Sequence, residues 1–361
     1  METQTELMAF YSVPAESKNQ INKAGKILSG RIPNSITDEF ENAIKLTSKW
    51  RACHAYPINT FQSTLRTKLK NGGYINYIVA QRLKRLPTII DKLKRYPAMQ
   101  LTTMQDIGGV RAILNTVKDV YNLRKEYAKS IHFKPMLINE YDYINHPRNE
   151  DGYRSLHLVF KYKNIQNPNY DDLKIEMQIR TKLQHAWATA VETMGTFLGQ
   201  ALKSRQGDKK WIDFFALASS AFAYMEGFDP VPRFSNLSKQ KTYQKIKEVE
   251  SQLGALEKMR GFSVAINAIH KQGGKGTSYY LIVLDSIKQT VSFKPYDRDS
   301  FQDAIKDYSE IELEVTQGKK VEPVLVSAGP IESLRKAYPN FFLDTTEFTK
   351  TLSSIMPKGK K

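Results

Sequence analysis

Apolar positions along this chain recur first at helical spacing, then at mixed helix and strand spacing, and the pattern restarts near residue 261. The first 73 residues read as helical. Ser35 and Thr37 followed by Asp38 and Glu39 form a helix-start signal, and that helix runs to about Arg51. A second helix is predicted over residues 58–70, stopped by Asn71-Gly72-Gly73. Strands are then predicted over residues 75–83, 110–114, 136–144, 155–162 and 173–180. Helices are predicted between them over residues 87–95, opened by Pro87, and 117–130, and a long helix from about Thr181. Alternation of this kind predicts an α/β unit, one mixed sheet with helices packed on it.

Asp229-Pro230-Val231-Pro232 breaks the pattern. Ile246, Val249, Leu253, Leu256 and Met259 then fall at helical spacing and describe an amphipathic connecting helix. Past Gly261, strands are predicted over residues 262–270, 279–284 and 290–293, with a turn at Gln272-Gly273-Gly274-Lys275-Gly276. A helix over 301–310, a strand over 323–327 and two short helices complete a small α+β unit. The expected division is 1–228, a connector over 229–260, and 261–361.

Composition adds one strong bias. Of the 361 residues, 54 are Lys or Arg and 37 Asp or Glu, a formal net charge of +17. That points to a polyanionic partner, or simply to a basic surface. The lone cysteine, Cys53, excludes an internal disulfide and a cysteine-rich zinc site, which fits a reducing cytoplasm. Its place near a helix end reads as a small buried side chain. Met1-Glu2-Thr3-Gln4-Thr5-Glu6 lacks the basic start of a leader, and the apolar run 214–225 is too short to span a bilayer. No membrane association is expected.

Four segments carry candidate chemistry. Residues 61–95 hold nine Lys or Arg against one acid, Asp91. Strand period places Arg82 and Lys84 on one face, and Lys92 lies on the following helix. A triphosphate needs several fixed cations; a solvated basic surface is the alternative. Asp106-Ile107-Gly108-Gly109-Val110-Arg111 places an acid before a strand, where it can approach Mg²⁺ or merely turn the chain. Gly152-Tyr153-Arg154-Ser155-Leu156-His157 puts a Tyr at a strand head, able to stack on a base or ribose. His157 reads equally as a structural histidine. In Lys174-Ile175-Glu176-Met177-Gln178-Ile179-Arg180 the apolar residues alternate with acid, amide and base. A buried acid must be paired or metal-bound, so Glu176 is catalytic or pairs with Arg180.

In order and spacing these segments resemble the synthetase domain of the RelA/SpoT family, over about residues 74–190. The motifs are Arg-x-Lys…Lys (Arg82, Lys84, Lys92), Asp-x-x-Gly-x-Arg (Asp106, Gly109, Arg111), Gly-Tyr-x-Ser-Leu-His (Gly152 to His157) and Glu-x-Gln-Ile-Arg-Thr (Glu176 to Thr181). The resemblance implies a nucleotidyltransferase-like synthetase fold and transfer of the β,γ-pyrophosphate of ATP to a ribose 3′-hydroxyl. It implies that Arg82 and Arg111 sandwich the adenine and that Lys84, Lys92 and Thr88 hold the phosphates. Asp106 would ligate Mg²⁺. Glu176 would be a second magnesium ligand or the base for the 3′-hydroxyl. Tyr153 would stack on the acceptor base, and His157, Arg148, Arg154 and Gln178 would line the acceptor site.

Asn149 stands where alarmone-making relatives carry Lys four residues before the Tyr, with Arg148 shifted by one. No His-Asp hydrolase pattern accompanies the synthetase motifs. The whole layout is similar to CapRel, a subfamily of toxic small synthetases fused to their own antitoxin. That likeness implies pyrophosphorylation of the tRNA CCA end and a block of translation. It further implies a C-terminal unit that inhibits in cis and a phage capsid or other phage structural protein that relieves it. The inhibitory Tyr-x-x-Tyr would here be Tyr338-Pro339-Asn340-Phe341. Six acids between Asp299 and Glu314, against Lys306, form either a surface that docks on the basic site or a solvated helix face. A small alarmone synthetase using GDP or GTP, and an inactive RNA-binding relative, are the rival readings; oligomeric state is not legible.

Overall fold

Three helices lead into the sheet. They are α1 (Lys18–Leu28), α2 (Thr37–Ala52) and α3 (Ala55–Asn71). The computed structural model describes residues 13, 15–32, 37–197, 208–259, 279–285, 287–288, 290–297, 299–319, 321–327 and 345–356. Ser17 starts α1 with a reciprocal cap: its hydroxyl accepts from the Gln20 amide while the Gln20 carbonyl oxygen accepts from the Ser17 amide. Cys53 closes α2 and is buried, as its position in the sequence predicted.

The central sheet has five strands in the order β1-β2-β5-β4-β3. They are β1 (Ile78–Leu83), β2 (Gly108–Leu114), β3 (Leu137–Asp142), β4 (Leu156–Lys161) and β5 (Lys174–Thr181). The pair β2–β5 is parallel and the others are antiparallel, so the sheet is mixed as expected. Helix α4 (Leu86–Arg95) follows β1, and α5 (Val117–Lys129) follows β2. Thr116 caps α5 through a reciprocal bond with Asp119.

Ile175, Met177 and Ile179 lie on one face of β5 and join Ile58, Phe61 and Leu65 of α3 in the main core. Gly108 permits that packing. A Cβ there would lie 2.9 Å from Ile175 Cδ1 and 3.0 Å from Ile58 Cδ1. The opposite face of β5 presents Glu176, Gln178 and Arg180, as strand period requires.

A second core lies beyond the end of the sheet. Helices α6 (Lys182–Phe197), α7 (Lys209–Glu226) and α8 (Lys239–Leu253) enclose Trp187, Trp211, Phe214, Phe215 and Phe222. Helix α7 contains the apolar run read as a buried helix, and no helix among the described residues is long and apolar enough to cross a membrane.

The C-terminal residues form a three-stranded antiparallel sheet in the order β7-β6-β8. Its strands are β6 (Tyr279–Asp285), β7 (Thr290–Tyr296) and β8 (Val321–Ser327). Helix α9 (Phe301–Thr316) packs Ala304 and Tyr308 on Leu281 and Tyr296. It runs past its expected end at residue 310, because Ile311 continues the stripe of Ala304 and Tyr308 while Leu313, on another face, packs against α1 and α2. Helix α10 (Thr346–Ile355) buries Phe348 and Leu352 in the same core as α6 and α7. The strand expected over 262–270 and the turn at 272–276 lie outside the described residues.

Candidate active site

Strand pairing sets the site's frame. Arg82 on β1 lies opposite Gly109 on β2, and Gly109 lies opposite Glu176 on β5. One row along, Arg111, Gln178, His157 and Tyr141 occupy matched positions on β2, β5, β4 and β3. Residues paired directly across strands share a face, so two rows of functional side chains cross the sheet side by side.

Asp106 precedes β2 and sits between two cations. Lys84 Nζ donates to Asp106 Oδ2 at 2.9 Å, and Lys92 Nζ to Oδ1 at 2.9 Å. Lys84 is aimed by its backbone, whose amide donates to Ile107 O at 2.7 Å and prolongs the β1–β2 pairing. Lys92 is aimed by α4, anchored through Leu86, Ile89 and Leu93. Burial alone would raise the Asp106 pKa. The two ammonium groups outweigh it and hold the carboxyl well below the usual carboxylate range. Burial dominates at Lys84 and leaves its pKa below the ordinary value despite Asp106.

Glu176 is the second carboxylate. His157 Nδ1 lies 2.9 Å from Oε1, and Gln178 Nε2 donates to Oε2 at 2.8 Å. Burial would raise its pKa and Asp106 adds to that, but His157 and Gln178 bring it below the ordinary value. His157 continues the chain, with Nε2 2.8 Å from the Tyr153 hydroxyl oxygen. Burial disfavours the imidazolium, yet Tyr153 and Glu176 push the His157 pKa up to about 9. The Tyr153 pKa is lowered, burial being outweighed by His157 and Arg180.

The expected Glu176–Arg180 alternative is not the pairing found. Arg180 Nη2 lies 2.7 Å from His185 Nδ1, while Glu176 is held by His157 and Gln178.

Arg82, Lys84, Asp106, Arg111, Glu176 and Gln178 line one cleft. Thr88 lies half-buried on the first turn of α4. Tyr153 is only 5% exposed, and the Arg148 guanidinium lies 4.6 Å from its ring centroid. Its ring is therefore covered by Arg148 instead of open to an acceptor. Arg154 is buried and donates to Ile144 O and Asp229 O, both at 2.6 Å, so its two outer nitrogens tie loops together. Asn149 accepts from the Arg233 amide at 2.8 Å. Gly152 has φ +78°, and a Cβ there would lie 2.8 Å from Ser219 Cβ, so glycine is required where the loop crosses α7. Tyr338 and Phe341 lie outside the described residues.

Sequence reading missed a buried clamp behind the cleft. Arg51 on α2 pairs with Glu312 on α9, and both side chains are nearly fully buried. Arg51 Nε also donates to Lys84 O at 2.8 Å, and Glu312 Oε1 accepts from the Leu86 amide at 2.8 Å. Tyr308 donates to Glu312 at 2.7 Å. Burial lowers the Arg51 pKa, but Glu312 reverses the effect and the net shift is upward. Of the six acids noted in the sequence, Glu312 is thus the one buried against the N-terminal unit, while Asp307 pairs with Lys294 and Glu314 with Lys319. Of the two readings of the run, a docking surface or a solvated face, the solvated face describes the other five acids, which are exposed or half-buried.

The donor set suits a hard cation. Two acids, Asp106 and Glu176, line the cleft together with Arg82, Lys84 and Arg111, and Mg²⁺ takes one or two carboxylates plus phosphate oxygens. No group of three or more His, Cys, Asp or Glu suited to a metal occurs among the described residues.

Residues 81–195 match the family described as the region found in RelA/SpoT proteins. The chain is 33% identical over 113 residues to the GTP pyrophosphokinase YjbM of Bacillus subtilis, covering 31% of this chain and 52% of that protein. It is 32% identical over 114 residues to the GTP pyrophosphokinase YwaC of the same organism, covering 30% and 52%. The chain thus spans about half the length of these curated relatives. Small alarmone synthetase 1 from Bacillus subtilis superposes with a TM-score of 0.42 at 21% identity, covering 50% of this chain and 91% of that one. A GTP pyrophosphokinase family protein from Streptococcus pneumoniae gives 0.40 at 24%, covering 53% and 93%. Residues 81–195, which hold the two carboxylates and most of the cleft, match the region found in RelA/SpoT proteins, and about a third of the chain is similar to GTP pyrophosphokinases.

Proposed function

We propose that the chain is a pyrophosphokinase that transfers the β,γ-pyrophosphate of ATP to the 3′-hydroxyl at the CCA end of tRNA. The observation that carries the transfer is Asp106 held between Lys84 and Lys92, across the cleft from a Glu176 whose two oxygens are both oriented by donors. Positioning and charge neutralisation supply most of the catalysis in transfers of this kind. Lys84 and Lys92 would take the ATP phosphates, with Thr88 at the start of α4 assisting. Arg82 and Arg111 would bracket the adenine. Asp106 would hold Mg²⁺, which supplies charge neutralisation at the triphosphate. Glu176 would take the proton as the 3′-oxygen forms its bond to the β-phosphorus. The bond from that phosphorus to the bridging oxygen breaks, and AMP leaves with the electron pair.

Three features favour an RNA acceptor over GDP or GTP. Asn149, at the position of the relatives' lysine, is engaged with the Arg233 backbone. Arg148 covers the Tyr153 ring on which a free base would stack. The net charge of +17 suits a polyanion that contacts many cations.

The C-terminal unit is read as an inhibitor in cis that a phage structural protein relieves, in a reducing cytoplasm. Its support is the clamp: the Arg51–Glu312 pair holds the backbone on both sides of Arg85, Arg51 of α2 at the Lys84 carbonyl and Glu312 of α9 at the Leu86 amide. The test uses the intact chain and its Glu312→Gln variant with γ-³²P-labelled ATP. Acceptors are tRNA, tRNA stripped of CCA, GDP and GTP. Label on intact tRNA alone, faster in the variant, is the expected result. Label on guanosine nucleotides alone replaces the acceptor. No label on any acceptor from either protein overturns the catalytic reading.

A further inference from the structure

We propose that Tyr141 and Tyr143 form a stacking platform for the unpaired nucleotides that precede the reacting 3′ end. The inference rests on the reading of RNA as acceptor and adds a subsite to it.

Tyr141 lies on β3, the edge strand of the sheet, and Tyr143 just past its end, where its amide still donates to Ser155 O at 3.0 Å and keeps the two rings on one side. That face carries the site, because Tyr141 lies directly opposite His157 and His157 opposite Gln178. The rings are parallel, with centroids 6.1 Å apart and an interplanar angle of 10°. Tyr143 meets His157 edge-on at 5.3 Å and Tyr153 at 5.7 Å. A continuous aromatic wall thus leads from Glu176, through His157 and Tyr143, outward to Tyr141. Its outer member is 38% exposed, and its hydroxyl donates to Gln105, the neighbour of Asp106, at 3.3 Å.

Electrostatics favour a nucleic acid on this wall. The Arg148 guanidinium lies 5.0 Å from the Tyr143 ring centroid, which adds a cation to the stack. The strand's acids alternate onto the other face and are engaged there. Glu140 accepts from Arg124, and Asp142 from Tyr121 and Asn145. An exposed ring, Tyr141, backed by the half-buried Tyr143 beside a guanidinium suits unpaired nucleotides, since every base has a face to stack. The platform also lies at the edge opposite β1, where the C-terminal clamp grips, so the intact chain can be used to test it.

The measurement is equilibrium binding of the intact chain to an RNA hairpin ending in a single-stranded ACCA overhang and to the same hairpin cut blunt. The unchanged chain is expected to prefer the overhang. Tyr141→Ala is expected to weaken overhang binding about 5- to 100-fold, to the level of the blunt hairpin, and Tyr141→Phe to retain it. Circular dichroism of each variant checks that it folds. A preference that survives Tyr141→Ala overturns the platform, even if the chain pyrophosphorylates tRNA. Equal binding of both hairpins by the unchanged chain also overturns it. Labelled transfer to GDP or GTP alone overturns the acceptor reading and the platform with it.

Discussion

At the residue scale, the site is a set of charges that would be costly in isolation and are tolerable only together. Glu176 is buried beside another carboxylate, and its ionised form depends on His157 and Gln178. Glu176→Gln removes the proton acceptor while keeping shape, so pyrophosphate transfer should fall about 100- to 10,000-fold with ATP binding retained, as rapid-mix transfer and equilibrium dialysis would read. Asp106→Ala should abolish transfer without unfolding the chain. It leaves Lys84 and Lys92 unneutralised, and a well-folded variant with undiminished transfer would refute the assignment. His157 makes the pH prediction. Its folded pKa of about 9 exceeds the ordinary value of 6.5, so the folded state holds the extra proton between them. The stability it contributes is therefore full below pH 6.5 and is lost as pH rises through 9, up to about 3 kcal/mol by linkage. Urea unfolding at a series of pH values should show that decline, and His157→Gln should flatten it.

At the scale of elements, most of the sheet was legible because its strands obey period 2 and its helices period 3.6. The alternation in residues 174–180 places Glu176, Gln178 and Arg180 on one face, Asn71-Gly72-Gly73 marks the end of α3 and Pro87 the start of α4. What was not legible is which polar group answers which. Periodicity could not distinguish a Glu176–Arg180 pair from the His157 and Gln178 contacts found, since that choice is made by β4, a neighbour distant in sequence. Tyr153 shows the same limit: a strand-head tyrosine reads as a stacking surface until the loop brings Arg148 over its ring. The clamp between α2, α4 and α9 is equally non-local, with 261 residues separating Arg51 from Glu312. Removing one partner of a buried ion pair strands the other, so Glu312→Ala should cost about 3–5 kcal/mol in urea unfolding. Replacing both partners, as Arg51→Met with Glu312→Leu, should recover most of it. Faster amide exchange in the first turn of α4 in the single variant would locate the loss at Leu86.

At the scale of the whole molecule, the expected division at 229–260 is visible in the change of pattern, yet the described chain crosses that line twice. Helix α9 closes on α2 and α4 through Arg51. Helix α10 inserts Phe348 among Phe214, Phe215 and Phe222, with its centroid 5.5 Å from Phe222. The sequence offered α10 only as one of two short closing helices, with no partner for it. Its burial has a mechanical consequence. Under the proposed inhibition in cis, a unit joined only by a linker would swing clear as a body, whereas one whose last helix completes the core around Trp187 and Trp211 would stay anchored there while α9 lets go. Release would then be a local opening at the clamp, with α10 acting as the fixed end. Phe348→Ala tests this, because it should cost about 3–5 kcal/mol by leaving a cavity in that core. Trp187 and Trp211 report on this cluster and Trp50 on the main core, so in a Trp50→Phe background their fluorescence and the far-ultraviolet signal should fall in one shared transition at lower denaturant. Two separated transitions in the unchanged chain, with the tryptophan transition unmoved by Phe348→Ala, would mean that α10 belongs to an independent domain and that release is wholesale.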